Sequence, residues 1–123
     1  MVDKNEVQET IDLDETVTIS SGQSLSAAFP CGGMRLVGLQ MPASWTAAVI
    51  TFQASKSATG TFGDVRNADG SEFSVNVVAG TDWIALDPID FFGMKYIKIR
   101  SGTSATPVAQ GADRQISAIM VAI

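Results

Sequence analysis

The chain has 123 residues, 46% of them apolar and 17% charged, a balance that fits one globular domain with a real core and leaves no room for a second. It has no histidine and one cysteine, Cys31, which excludes histidine-based nucleophilic catalysis and an internal disulfide scaffold and removes the commonest metal ligand. Residues 1–15 hold six acids and one base, so the net charge of −5 belongs to them; the remainder is neutral and lacks the clustered Lys and Arg of a nucleic-acid surface.

No apolar run of about 18 residues is present, which predicts no membrane insertion. Asp3, Glu6 and Glu9 stand where a secretory signal would be basic and then apolar, so no secretory address is expected. Val, Ile, Thr, Ser and Gly are common, and 11 glycines with four prolines suit short strands joined by turns.

Residues 1–15 read as an acidic arm whose end can enter a sheet, because Ile11, Leu13, Val17 and Ile19 alternate with polar residues. The plain alternative is a solvated tail. Ser20-Ser21-Gly22 is a turn, and Leu25, Ala27 and Phe29 share one face of a strand at 24–29. Pro30-Cys31-Gly32-Gly33 is a tight loop. The segment 35–41 is a strand whose apolar phase shifts across Gly38, which predicts a bulge there or burial on both faces. Trp45 lies in a connection. Residues 48–56 form a strand with Ile50, Phe52 and Ala54 on one face.

Asn67-Ala68-Asp69-Gly70 is a hairpin signal, with Gly at the left-handed position, and Phe73, Val75 and Val77 then face inward. Residues 82–86 form a strand with Ile84 and Leu86 inward, ended by Asp87-Pro88. In 95–100, Ile97 and Ile99 face the core while Tyr96, Lys98 and Arg100 face water. A long polar loop, 101–113, leads to a last strand at 114–123 that is apolar on both faces. Ile116, Ala118 and Met120 share one side; Ile119, Val121 and Ile123 share the other. Such a strand is either central in its sheet or pressed against another subunit. These elements predict an all-β fold: an antiparallel, jelly-roll-like β-sandwich of eight or nine short strands spanning 16–123, behind the acidic arm.

Candidate chemistry is sparse, and no catalytic residue, metal ligand or cofactor is assigned. Asp64, Asn67, Asp69 and Glu72 invite a calcium test, but the positions that would open and close such a loop, Val65 and Asn76, supply no carboxylate. Asp82, Asp87 and Asp90 are spaced as turn and capping residues rather than as a hydrolytic pair. Trp45, Trp83, Tyr96, Phe91 and Phe92 are the candidates for a sugar-stacking platform, with Trp45 and Tyr96 as the glycan contacts, against the plain expectation that aromatics of a small sandwich are buried.

Four segments carry a resemblance. The run Leu39-Gln40-Met41-Pro42-Ala43-Ser44-Trp45-Thr46-Ala47-Ala48, the strand Ile50-Thr51-Phe52-Gln53, residues 62–70, and Tyr96-Ile97-Lys98-Ile99-Arg100-Ser101-Gly102-Thr103 with Pro107-Val108 resemble small β-sandwich virion proteins of tailed bacteriophages and gene transfer agents. The likeness covers roughly residues 35–120 and leaves the arm outside. It implies a non-enzymatic structural protein of the capsid surface, made in the host cytoplasm: a capsid decoration (cement) protein or the base of a head spike or fibre. Its implied partners are the major capsid protein and further copies of itself, first as a trimer at a lattice three-fold and second as a pentamer at a vertex. Val7, Ile11, Leu13, Ile119, Val121 and Ile123 are the candidate subunit or capsid contacts. The competing expectation is a carbohydrate-binding module that recognises host-surface glycans through Trp45 or Tyr96.

Overall fold

The computed structural model describes residues 12–77, 80–91 and 93–122. Among them are nine strands: β1 (Asp12–Ile19), β2 (Phe29–Pro30), β3 (Met34–Gln40), β4 (Ile50–Ser55), β5 (Gly63–Asp64), β6 (Ser74–Val75), β7 (Trp83–Ala85), β8 (Tyr96–Ser101) and β9 (Arg114–Ala122). One turn of 3-10 helix, Pro88–Phe91, separates β7 from β8.

The strands pair in a nested order: β1 with β9, β2 with β8, β3 with β7, and β4 with β5 and β6. That is one long antiparallel hairpin. Rolling it up brings β9 against β3 and β8 against β4, which gives two sheets of order β1-β9-β3-β7 and β2-β8-β4-β5, with β6 following β5 along the edge of β4. The result is an all-β sandwich with jelly-roll winding.

Period-two alternation places one row of each strand between the sheets. The first sheet contributes Val17, Ile19, Leu36, Leu39, Ile116, Ala118 and Met120, and the second contributes Phe29, Ile50, Phe52, Ile97 and Ile99. Gly38 marks a bulge in β3: Leu36 pairs with Met120 and Gly38 with the next residue, Ile119, leaving Val37 as the extra residue. The bulge lets Leu36 and Leu39, three positions apart, both reach the core. Phe52, Phe73 and Phe91 form a three-ring cluster with centroids 5.0–5.9 Å apart. Asp87 caps the short helix by accepting from the Ile89 N–H at 3.1 Å.

Two expectations need correction. The alternation at 24–29 is out of phase. Ser26, not Leu25 or Ala27, is buried, and Ala27 is exposed. The Ser26 hydroxyl accepts from the Ile99 N–H while the Ser26 N–H donates to the Ile99 carbonyl, so the residue closes the edge of β8 as a strand would. Arg100, expected in water, is buried beneath the β5–β6 hairpin. Trp83 is 63% exposed, on the outward phase left by Leu86 pointing inward. The last residues of the predicted arm, 12–15, belong to β1, whose register runs Asp12↔Val121 to Ile19↔Arg114.

Candidate functional site

The polar side chains with chemical potential are largely committed to holding the fold. Thr51 and Arg100 face each other across β4 and β8, on the side of the sheet away from the core. The Arg100 guanidinium donates through Nε to Thr51 Oγ1 at 2.9 Å and meets Asp64 Oδ1 at 3.0 Å and Glu72 Oε2 at 2.6 Å. Thr51 passes its own proton to the Gly102 carbonyl, and Ser104 donates its hydroxyl to Asp64 and its N–H to Glu72. One buried cation thus ties the β5–β6 hairpin and the 102–107 loop to the centre of the sheet. The Ser104 hydroxyl and then Arg100 hold the Asp64 carboxyl below its ordinary range. Asp64 and Glu72 therefore do not converge with Asp69, which caps its own turn by accepting from the Ser71 N–H and hydroxyl. Among the described residues no three Asp, Glu, Cys or His side chains gather in a metal-holding geometry.

Gln110, 1% exposed, is the second polar hub. Its Oε1 accepts from the Thr46 N–H and Arg114 Nε, and its Nε2 donates to the Thr46 carbonyl and Ser101 Oγ, so the amide is fully used. This hub fixes the connection that carries Trp45. The Trp45 indole is half-buried against the core and donates its N–H to the Ala48 carbonyl at 3.1 Å. Tyr96 is half-buried at the far end of the β4–β8 ladder, opposite Ser55, whereas Trp45 precedes the end at which Ile50 pairs with Ser101. Five register steps, roughly 17 Å of strand, separate those two ends, and the structure does not assemble the two rings into one platform.

Cys31 is buried at the start of the loop before β3, and burial, helped by the charge of Glu15, pushes its thiol up to about 11. It is an inert packing residue at neutral pH.

Among the described residues, an uncommitted apolar patch lies on the outer face of the β1-β9-β3-β7 sheet, apart from the singly exposed Ile89. Cross-strand register places Ala85, Gly38 and Ile119 in one outward row and Trp83, Gln40 and Ser117 in the next, with Arg35 and Val121 in the row beyond Ile119. Ile119 and Val121 are half-buried there, and β9 is central in its sheet, which explains why its sequence is apolar on both sides. Trp83 stands on the three-residue edge strand β7 between two hollows. One, of about 240 Å³, is lined by Val37, Ala85 and Ile119; the other, of about 410 Å³, by Asn76 and Asp82. Leu13 is placed by its backbone opposite Met120, while Val7, Ile11 and Ile123 lie outside the described residues.

Sequence reasoning found Ile119 and Val121 through their alternation, and turning Ile84 and Leu86 inward set Trp83 outward; it gave Trp83 a place only in a sugar-stacking platform, of which Phe91 is buried in the core and Phe92 lies outside the described residues. Compared with protein-family models, with curated proteins and with solved structures, the chain has no match.

Proposed function

We propose that this protein is a structural component of a phage head, a capsid decoration (cement) protein or the base of a head spike or fibre, which acts by self-association and by binding the major capsid protein. The observation that carries the reading is the outer face of the β1-β9-β3-β7 sheet, where a 63% exposed tryptophan stands beside Ile119, Val37 and Ala85. An exposed Trp in an apolar, concave setting is the composition of an interface centre rather than of a free surface. The buried ion cluster and the Gln110 hub support the same reading, because they spend the polar side chains on rigidity. Jelly-roll sandwiches recur in capsids and in lectins, and that analogy supports assembly at the level of fold alone. Closed rings are the usual product of such association; a trimer is the first expectation and a pentamer the second.

Light scattering on the full-length protein tests it. The wild type is expected to run as a closed oligomer and Trp83→Glu as a monomer with an unchanged circular dichroism spectrum. A monomeric wild type at about 100 μM, or an oligomer untouched by Trp83→Glu, would overturn the role given to this face.

A further inference from the structure

The inward row of the second sheet ends in an unusual way. Along β4 it runs Ile50, Phe52, Ala54, and the next residue of that parity is Lys56. Along β8, read backwards, it runs Ile99, Ile97, and the next is Lys95. The last registered pair is Ser55↔Tyr96, and Lys56 and Lys95 are the residues that follow it, one on each chain segment. Neither ammonium has an ion-pair partner within reach among the described residues, where both recorded ion pairs belong to Arg100. Both lysines are exposed.

The space they flank is a groove at the end of the sandwich. A wider limb of about 440 Å³ lies between the 54–61 turn and Gly93–Met94, and a narrower limb of about 180 Å³ continues past Met94 toward the loop before β3. The first is within the range of small-molecule sites. Lys56 lines the wider limb and Lys95 the narrower one, and among the described residues neither limb is lined by an Asp or Glu. Glu15, whose charge reaches the Cys31 thiol, is not among the lining side chains. Among the described residues, this groove is lined by two cations and no carboxylate.

The rest of the wall is suited to hydroxyls. Ser57 and Thr61 offer side chains that can both donate and accept, and Met94 offers an apolar, adaptable surface. Gly60 lets the turn close on itself, since a Cβ there would stand 2.5 Å from Ser57 Oγ and 2.9 Å from Ser55 Oγ.

We infer that this groove is a binding site for an anionic saccharide, with the Lys56–Lys95 pair taking a sugar carboxylate or sulfate. Ser57 and Thr61 take ring hydroxyls, and Met94 packs on the apolar face of the ring. The site is separate from the sheet face proposed for assembly, so its test reads a different quantity from oligomer mass.

Isothermal calorimetry on the full-length protein, in low salt, uses four probes: a heparin tetrasaccharide, a hyaluronan tetrasaccharide, cellotetraose and inorganic sulfate. At least one of the two acidic tetrasaccharides is expected to bind; the heparin fragment carries carboxylates as well as sulfates, so binding of hyaluronan assigns the carboxylate and binding of heparin alone assigns the sulfate. Lys56→Ala and Lys95→Ala are each expected to weaken binding by about tenfold, while Lys98→Ala, which removes a lysine resting on the Phe62 ring 4.5 Å away and outside the groove, leaves it unchanged. Amide shifts at Ser57, Gly60, Thr61 and Gly93 on titration locate the ligand independently of the variants. Four outcomes overturn the inference: cellotetraose binding as tightly as the acidic sugars, inorganic sulfate binding as tightly as either, equal loss in Lys98→Ala, or no heat and no shifts at about 10 mM ligand.

Discussion

Replacing Arg100 by Met removes the one cation that two carboxylates share. The arginine side chain is 7% exposed, Asp64 22% and Glu72 16%, so the variant leaves two largely desolvated negative charges facing a thioether. Taking one partner from a buried ion pair costs about 3–5 kcal/mol, chiefly because the remaining charge stays buried and unpaired. The carboxylates here keep some contact with water, which places the expected loss near 3 kcal/mol, or about 10 °C in Tm for a domain of this length. Urea unfolding followed by tryptophan fluorescence measures it, with an unchanged m-value as the sign that the native fold persists. The companion variant Arg100→Met/Asp64→Asn/Glu72→Gln, which removes the stranded charges too, is expected to recover more than half of the loss. A cost below about 1 kcal/mol for Arg100→Met would refute the reasoning, since that is what a solvent-screened surface pair contributes. Acid adds a signed check. Asp64 is held below its ordinary 3.8, so its contribution is complete above that pH and disappears as the pH falls through the lowered value. Ser104→Ala, which removes the largest cause, should narrow that window.

Gly102→Ala is expected to cost about 3 kcal/mol by thermal unfolding, because φ is +88° and a Cβ would meet the Thr106 carbonyl at 2.5 Å and the Val108 nitrogen at 2.7 Å. Gly70→Ala, at φ +90° but in open space, should cost only about 1 kcal/mol; equal losses would show that φ alone decides both. Iodoacetamide at pH 8 should modify Cys31 about a hundredfold more slowly in the native protein than in urea, and comparable rates would contradict its burial. Because folding keeps that thiol protonated between 9.0 and about 11, Cys31 stabilises the native state below this window and loses that contribution as the pH rises through it. Gln110→Leu should lower stability by about 3 kcal/mol in urea, as the Thr46 N–H and Arg114 Nε lose their shared acceptor; a neutral effect would mean that water replaces the amide.

Much of the sandwich is legible in local pattern. Alternation identifies the inward rows of β4, β8 and β9, the phase slip at Gly38 marks the bulge, and Asp69-Gly70 marks the turn that the Asn67 N–H closes on the Ser71 carbonyl. What alternation cannot carry is a partner distant in sequence. Ser26 looks like a surface residue until its hydroxyl is paired with the Ile99 N–H, 73 positions away. Arg100 has the phase of a solvent-facing residue, and only the hairpin carrying Asp64 and Glu72 encloses it. The groove was illegible for a related reason. Lys56 and Lys95 are unremarkable singly, and their place just past the same registered pair follows from a register that neither segment contains alone.

The nested winding has a consequence for biosynthesis. The partners in β1 and β9 lie 95 to 109 positions apart, and β9, made after the other eight described strands, is an inner strand of its sheet. Until it leaves the ribosome, β1 and β3 each lack a neighbour along one edge, and the inner row of Val17, Ile19, Leu36 and Leu39 has nothing to close on. Contacts this distant make for slow folding, on the millisecond-to-second scale or longer, with exposed edges in the interval. A premature stop at Arg114 would therefore remove the keystone of the sheet, leaving a nascent chain suited to aggregation instead of a slightly shortened sandwich.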